Sequence, residues 1–353
     1  MRNVQRNENE TSVPQSCSSI LNRRLMNNLT IRTPSRLHFG LLDMNGEIGR
    51  IDGGVGLALD APHTLMALAK ANTVVASYES DPEVLERLHT AAETVCRHYG
   101  LPGVKIDILG RPLAHVGLGS ATQTLVGAAL SICRLYGLDV PAAEVANMVG
   151  RGGTSGIGIA AAEVGGFIVD GGHRFRRGEN SKHHYTPSSA SVYSTPPPIL
   201  LRHDFPDWDV LIVVPLGEGA SGLREVTLFR VVCPIPLAEV QEMCHLVLMK
   251  MVPSIMESDI EAFGEAMEAY QQLGFKMFEF RAQPELIADC IDMLKDHGGK
   301  GVGMSSWGPA LFAFGEDLTG LKRIAEQWLV NHGGGEVVLT KANNSGLTVV
   351  TET

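Results

Sequence analysis

His115-Val116-Gly117-Leu118-Gly119-Ser120-Ala121-Thr122-Gln123 is the stretch from which the rest of the chain can be read. A glycine-rich loop opens directly into a helical run that stays uncharged as far as Cys133. Glycine lets such a loop turn its backbone N–H groups inward, and a helix start adds unbonded N–H groups and a positive dipole end. Ser120 and Thr122 add hydroxyls. Gly117, Leu118, Gly119, Ser120 and Thr122 together make a cradle for phosphate or diphosphate. The plainer alternative is that Gly117 and Gly119 permit tight helix packing and Ser120 is an N-cap. These residues alone do not separate the two.

Outward from the loop, the pattern mixes strands and helices. Leu29–Thr33, Thr64–Ala69, Val104–Leu109 and Gly166–Asp170 read as strands. Pro82–Tyr99 reads as a helix, with Leu85, Leu88, Ala92, Val95 and Tyr99 at helical steps and Asp81 as its cap. Ser120–Tyr136 and Pro141–Arg151 are further helices. Residues 174–207 are polar, with Pro196-Pro197-Pro198, and read as a linker. Beyond it come a strand at Val210–Val214 and helices at Leu237–Met251, Ile255–Leu273 and Glu285–His297. A glycine-rich turn spans Gly298–Gly308. A strand at Ala310–Phe314, a helix at Leu318–Asn331 and strands at Glu336–Thr340 and Leu347–Val350 follow. No regular βαβα alternation is present, so the fold class is α+β with two domains. The expected division is 1–28 as a disordered extension, 29–205 as an N-terminal domain with the anion-binding loop, and 206–353 as a C-terminal domain.

Composition narrows the function. The 353 residues carry 29 Lys+Arg against 39 Asp+Glu, a net charge of −10, which argues against a general nucleic-acid binder. Hydrophobic residues at 44% and charged residues at 19% suit a packed globular chain. The 39 glycines exceed the usual share of about 7% and fall in clusters, not in a repeat. Six scattered cysteines with no CxxC predict reduced thiols and a cytoplasmic setting. Val116–Cys133 is uncharged but too polar for a membrane span, so no membrane partner is expected. Gly156-Ile-Gly158 lacks the strand before it and the acid after it that a dinucleotide site needs, and no P-loop is present.

Four ordered segments carry a more specific signal. They are Thr33-Pro-Ser-Arg-Leu-His-Phe-Gly40, the Gly-Leu-Gly-Ser loop, Thr154-Ser-Gly-Ile-Gly158 running on to Gly165-Gly-Phe-Ile-Val-Asp-Gly-Gly-His173, and Gly303-Met-Ser-Ser-Trp-Gly-Pro309. With these motifs the chain resembles the GHMP kinase superfamily over roughly residues 30–350. Within it, the chain is most similar to the β-ribofuranosylaminobenzene 5′-phosphate synthase family of methanopterin biosynthesis. It departs from the kinases in two places. Ala121 stands where kinases usually have a second Ser, and Gly158 stands where several have the Asp that acts on the hydroxyl being phosphorylated. Glycine can neither take nor orient a proton, so that route to phosphotransfer is missing.

The resemblance implies condensation of 4-aminobenzoate, or a close analogue, with phosphoribosyl pyrophosphate, releasing CO2 and pyrophosphate. It implies Mg²⁺ as cofactor, small-molecule partners, and a homodimer as an admissible assembly. Candidate catalytic residues are Arg36, His38, His115, Asp170 and His173. Arg36 and His38 are two apart on one strand face. Asp170 and His173 flank a Gly-Gly turn and suit Mg²⁺ binding or proton transfer; the plainer alternative is an Asp bonding its own turn. Arg151, Thr154, Ser155 and Gly156 complete the anion site, although Arg151 also suits the C-terminus of the 141–151 helix. Ser305 and Ser306 would close over substrate, with Trp307 stacking on the aromatic ring or packing in the core. The Mg²⁺ ligands are unassigned by the sequence. The competing readings are an ATP-dependent small-molecule kinase and a ligand-sensing protein without catalysis.

Overall fold

Two long strands form the spine of the amino-terminal half. β1 (Asn28–Asp43) and β2 (Arg50–Lys70) pair antiparallel from Asn28↔Ala69 to Asp43↔Asp52, with register shifts at Pro34/Ser35 and His38/Gly40. This is a computed structural model, and it describes residues 28–187, 190–191, 195–216 and 223–350. The strands expected at Leu29–Thr33 and Thr64–Ala69 are only the outer ends of this hairpin. The glycine-rich stretch between them is paired sheet. Glycine serves there because a Cβ at Gly56 would lie 2.4 Å from both Ile157 Cγ2 and Leu37 O. The helix Ile157–Glu163 can then lie directly on the strand.

β3 (Val75–Ser77) and β4 (Val104–Gly110) extend the sheet beyond β2. β5 (Phe167–Asp170) and β6 (His173–Arg174) pair with other parts of β2, and β7 (Ile199–His203) pairs with β5. The expected helix Pro82–Tyr99 forms as read, with Asp81 Oδ1 accepting from Val84 N at 3.1 Å. It packs with Ser120–Leu135 over the sheet, burying Leu88, Val95, Val126 and Ile132 against Ile31, Met66 and Ile106.

The second half is a four-stranded sheet of β8 (Asp209–Pro215), β9 (Lys300–Met304), β10 (Leu311–Gly315) and β11 (Gly335–Thr340), in the order β11-β8-β10-β9. Helices Glu285–Asp296 and Thr319–Asn331 cover one face through Ile287, Leu294, Leu321 and Leu329. Ile260–Gln271 covers the other through Phe263 and Met267. The single helix expected over Ile255–Leu273 is interrupted, because Ser258 takes a left-handed φ of 57° and Asp259 caps a new helix. Helices Leu223–Val232 and Gly274–Arg281 and strands β7 and β9 were not legible as elements: β7 lies in the polar linker and β9 in the glycine-rich turn.

β12 (Thr348–Val350) returns to pair with β1, Thr30 opposite Val350. The last strand of the chain therefore belongs to the first sheet. One core also crosses the expected 205/206 division, with Phe39 and Phe312 at 5.2 Å between ring centroids. The two halves share their packing. Of the expected extension, residues 1–27 lie outside the described residues, and Asn28 begins β1. None of the five described cysteines is disulfide-bonded. No single helix among the described residues is long and apolar enough to cross a membrane.

Candidate active site

The Gly117–Ser120 loop sits where the two halves meet. Its backbone is tied to β1 by Arg36 N donating to Leu118 O at 3.2 Å and Arg36 Nη1 donating to Gly117 O. It is tied to the second half by Ser305 Oγ donating to Gly117 O at 2.8 Å and Ala310 N donating to Val116 O at 3.0 Å. Gly117 has φ 91°, and a Cβ there would lie 2.2 Å from Ser305 O, so only glycine fits. Gly119 (φ 75°) is the residue before the first helical turn. Ser120 is therefore not an N-cap; its Oγ instead accepts from Arg111 Nη2 at 3.2 Å. Gly117, Gly119, Ser120, Ala121 and Thr122 all line one cavity, and Leu118 is buried behind it.

Arginines surround this loop. Arg36, Arg87, Arg111 and Arg151 line the same cavity. Arg151 does not cap the helix before it, which ends at Met148; Nε and Nη2 donate to Thr122 Oγ1 at 3.0 and 2.6 Å. Burial pushes the Arg36 guanidinium down to about 10, with Arg151 adding to the effect. Burial and then Arg87 do the same to Arg151, also to about 10. Neither Arg36 nor Arg151 has a carboxylate partner among the described residues. Two half-buried cations without an acid favour an anion joining them. Arg87 and Arg111 had no motif to mark them in the sequence.

The third motif divides into two layers. Thr154 and Ser155 line the cavity, and Gly156 N is turned away to Asp170 Oδ2 at 2.8 Å. Asp170 and His173 stand one layer behind. Asp170 is fully buried and accepts from Ser155 Oγ at 3.1 Å and, through Oδ1, from Gly172 N at 3.0 Å. The plainer alternative, an Asp bonding its own turn, is what the structure contains. Burial raises this carboxyl to about 6 against those donors. His173 Nδ1 is 2.6 Å from Asp52 Oδ2, and Nε2 is 2.9 Å from Gly152 O and 3.0 Å from Thr195 O. Both ring nitrogens are occupied, so neither reaches the cavity. Lys182 Nζ joins the same Asp52 at 2.8 Å and Gly153 O at 2.8 Å. This buried Asp52–His173–Lys182 cluster pins the loop that carries Arg151 and Thr154.

Another part of the cavity wall has a different character. Leu41, Phe229, Trp307, His38, Ser306 and Glu279 line it. Ser305 is fully buried and does not line the cavity; its Oγ accepts from His38 N at 3.0 Å. Ser306 N donates to His38 O at 2.8 Å, which fixes the loop against β1. Trp307 rests on Phe229 and Phe275 at 6.3 and 5.8 Å between centroids. Burial, Arg36 and Lys276 hold His38 well below the ordinary histidine value, so its imidazole is neutral. His115 stands exposed at the rim with a left-handed φ of 59°. Lys276 and Glu279, from the unforeseen helix Gly274–Arg281, form a buried ion pair at 2.8 Å.

Among the described residues no three His, Cys, Asp or Glu side chains converge as a metal centre. Asp81 and Glu83 line the cavity near the loop, and one guanidinium, Arg111, spans Asp81 Oδ2 at 3.4 Å and Ser120 Oγ at 3.2 Å. These two carboxylates are hard oxygen donors of the kind Mg²⁺ takes, although Asp81 also accepts from Val84 N and Arg111. Gly158 also lines the cavity, where a Cβ would already meet Thr122 Cγ2 at 3.0 Å, so an Asp has little room.

Known proteins agree with this geometry. The GHMP kinases N-terminal domain matches residues 86–166, and the GHMP kinases C-terminal domain matches residues 251–333. The chain is 41% identical over 330 residues to the beta-ribofuranosylphenol 5'-phosphate synthase of Methanocaldococcus jannaschii, covering 90% of this chain and 99% of that one. It is 41% identical over 323 residues to the protein of the same name from Archaeoglobus fulgidus, covering 91% and 99%. Among solved structures, a homoserine kinase from Cytophaga hutchinsonii superposes with a TM-score of 0.64 at 15% identity, covering 92% of this chain and 98% of that one. The Streptococcus pneumoniae phosphomevalonate kinase superposes with a TM-score of 0.65 at 13% identity, covering 90% and 99%. These two likenesses concern the fold.

Proposed function

The chain belongs to the β-ribofuranosylphenol 5′-phosphate synthase family on a GHMP kinase fold, and from that premise we propose that it joins phosphoribosyl pyrophosphate to a para-substituted benzoate in methanopterin biosynthesis. The observation that carries this reading is the pair of half-buried arginines, Arg36 and Arg151, beside the Gly117–Ser120 cradle with no carboxylate partner among the described residues. Such a place wants a strongly anionic ligand. The para group is a hydroxyl, as the relatives' name implies for their product, or the amino group expected from the sequence.

The bonds balance without a base at the ring. The C1′–oxygen bond breaks with its electron pair leaving on pyrophosphate. The ring carbon bearing the carboxylate bonds to C1′, and the pair from the carboxyl carbon restores the aromatic ring as CO2 departs. A neutral His38 suits this, since no ring proton has to be removed. Arg36, Arg151 and the first-turn N–H groups beyond Gly119 hold the diphosphate and its growing charge. Thr154 and Ser155 orient the donor, His115 guards the rim, and Ser306 and Trp307 exclude water that would hydrolyse a cationic sugar. Asp170 and His173 position the 151–156 loop. Asp81 and Glu83 would hold Mg²⁺, which neutralises diphosphate charge when bound. Five free described cysteines accord with a cytoplasmic enzyme.

Kinase activity is not favoured, because Gly158 leaves the attacking hydroxyl without a proton acceptor. Incubating the pure protein with phosphoribosyl pyrophosphate, Mg²⁺ and 4-hydroxybenzoate or 4-aminobenzoate should release CO2 and pyrophosphate in equal amounts. ATP turnover with a small alcohol, and no pyrophosphate from the sugar donor, would overturn the proposal.

A further inference from the structure

Glu279 and Lys276 belong to none of the motifs that marked the site, yet Glu279 lines the cavity and Lys276 is buried beside it. Glu279 is 5% exposed and Lys276 fully buried. Lys276 Nζ donates to Glu279 Oε2 at 2.8 Å and to Ser306 O at 2.6 Å. Glu279 Oε1 accepts no hydrogen bond from any described residue, while the side chain lines the cavity. A buried carboxylate with one oxygen occupied by an ammonium and the other turned to a cavity is poised to accept one more donor. The walls beside it, Leu41, Phe229 and Trp307, are those of an aromatic slot.

We propose that Glu279 accepts the hydrogen bond of the acceptor's para O–H or N–H, and so selects acceptors by the donor they carry opposite the carboxylate. This rests on the reading given above. The polarity of the cavity supports it. Two cations, Arg36 and Arg151, and one carboxylate, Glu279, line the same cavity. A benzoate bearing a para donor has the matching polarity, carboxylate at one end and N–H or O–H at the other. Reversed binding would set two carboxylates against each other and is rejected. The productive orientation also brings the carbon that bears the carboxylate to the donor's C1′.

The contact does more than orient. When that carbon attacks, the ring becomes cationic and the para O–H or N–H more acidic. Its hydrogen bond to Glu279 therefore strengthens in the transition state and raises kcat as well as affinity. Lys276 acts through Glu279 as a positioning residue, keeping it charged and fixing the Ser306 carbonyl beside it. A purely structural pair clamping the 305–308 loop would hold the loop and be blind to the para group.

Three acceptors separate these roles: 4-hydroxybenzoate, 4-methoxybenzoate, which keeps ring donation but has no O–H, and benzoate. Calorimetry on protein filled with pyrophosphate and Mg²⁺ measures their binding without turnover. The wild type should favour 4-hydroxybenzoate by about tenfold or more over the other two. Glu279→Gln should compress that preference to about threefold or less and lower kcat with 4-hydroxybenzoate about a hundredfold. If Glu279→Gln alone does not fold with Lys276 left unpaired, Lys276→Met/Glu279→Gln removes both charges and carries the same measurement. An unchanged preference in a folded variant, or a wild type that takes the methoxy acid equally well, overturns this inference alone. A wild type that releases neither CO2 nor pyrophosphate overturns the reading above and this inference with it.

Discussion

The two ends of the cavity are built by opposite means. The cradle end is made from backbone, a left-handed Gly117 and a helix start, with cations set around them. The other end is made chiefly from side chains, with Phe229, Trp307 and the Lys276–Glu279 pair of the second half set against Leu41 and His38 of β1. On the proposed function, charge is read at the first end and shape with a single hydrogen-bonding group at the second. The difference teaches that one cavity can be set partly by backbone geometry, which tolerates little change, and partly by side chains, which can be exchanged.

The comparison is broken most severely at the cradle. Gly117→Ala places a Cβ 2.2 Å from Ser305 O at φ 91°. It should lower kcat/KM for the sugar donor by about a hundredfold or more, since a displaced loop of this kind costs several kcal/mol. Kinetics beside a melting curve check it, and native kinetics in this variant would remove the loop from the site. Gly119→Val is the gentler version, because its Cβ first meets the movable Arg36 side chain at 3.0 Å.

Arg151→Met should separate function from stability. Donor KM should rise about tenfold to a hundredfold through the lost charged hydrogen bonds. The melting temperature should hold or increase, because removing one of two half-buried like charges relieves repulsion. A fall in stability with unchanged KM would make Arg151 structural. At the other end, Trp307→Leu should raise acceptor KM by about threefold to tenfold, the worth of an aromatic contact, and leave donor KM alone. Equal shifts in both constants would mean that the two ends are not independent.

Behind the cradle the expected effect is on stability and not on substrate binding. Burial raises the Asp170 carboxyl from 3.8 to about 6, so between those values the native state keeps a proton that the unfolded chain has lost. The stability from this protonated form is complete below pH 3.8 and is lost as pH rises to about 6. Asp170→Asn should flatten the dependence of the unfolding free energy on pH across that window by about 1–3 kcal/mol, read from denaturant melts at several pH values. An equally steep curve in Asp170→Asn assigns the slope to other groups.

What could be read from the sequence was what neighbours in the chain decide. Asp81 capping Pro82–Tyr99, the apolar spacing of that helix, and the glycine loop before Ser120 are settled within a turn or two of backbone, and they form as read. Arg36, His38, His115, Arg151, Thr154, Ser155 and Ser306, each picked out by a motif, line one cavity. Tertiary structure decided the rest. Residues 35–43 and 50–59 look like loop until each supplies the other's hydrogen bonds across the hairpin. Asp170 and His173 sit in a motif, but only the fold shows their polar atoms spent on Gly156, Asp52 and the Gly152 carbonyl. Arg111, Lys276 and Glu279 have no local signature. Their meaning comes from contacts such as His38 with Ser305, 267 residues apart, and such contacts leave no periodicity in a sequence.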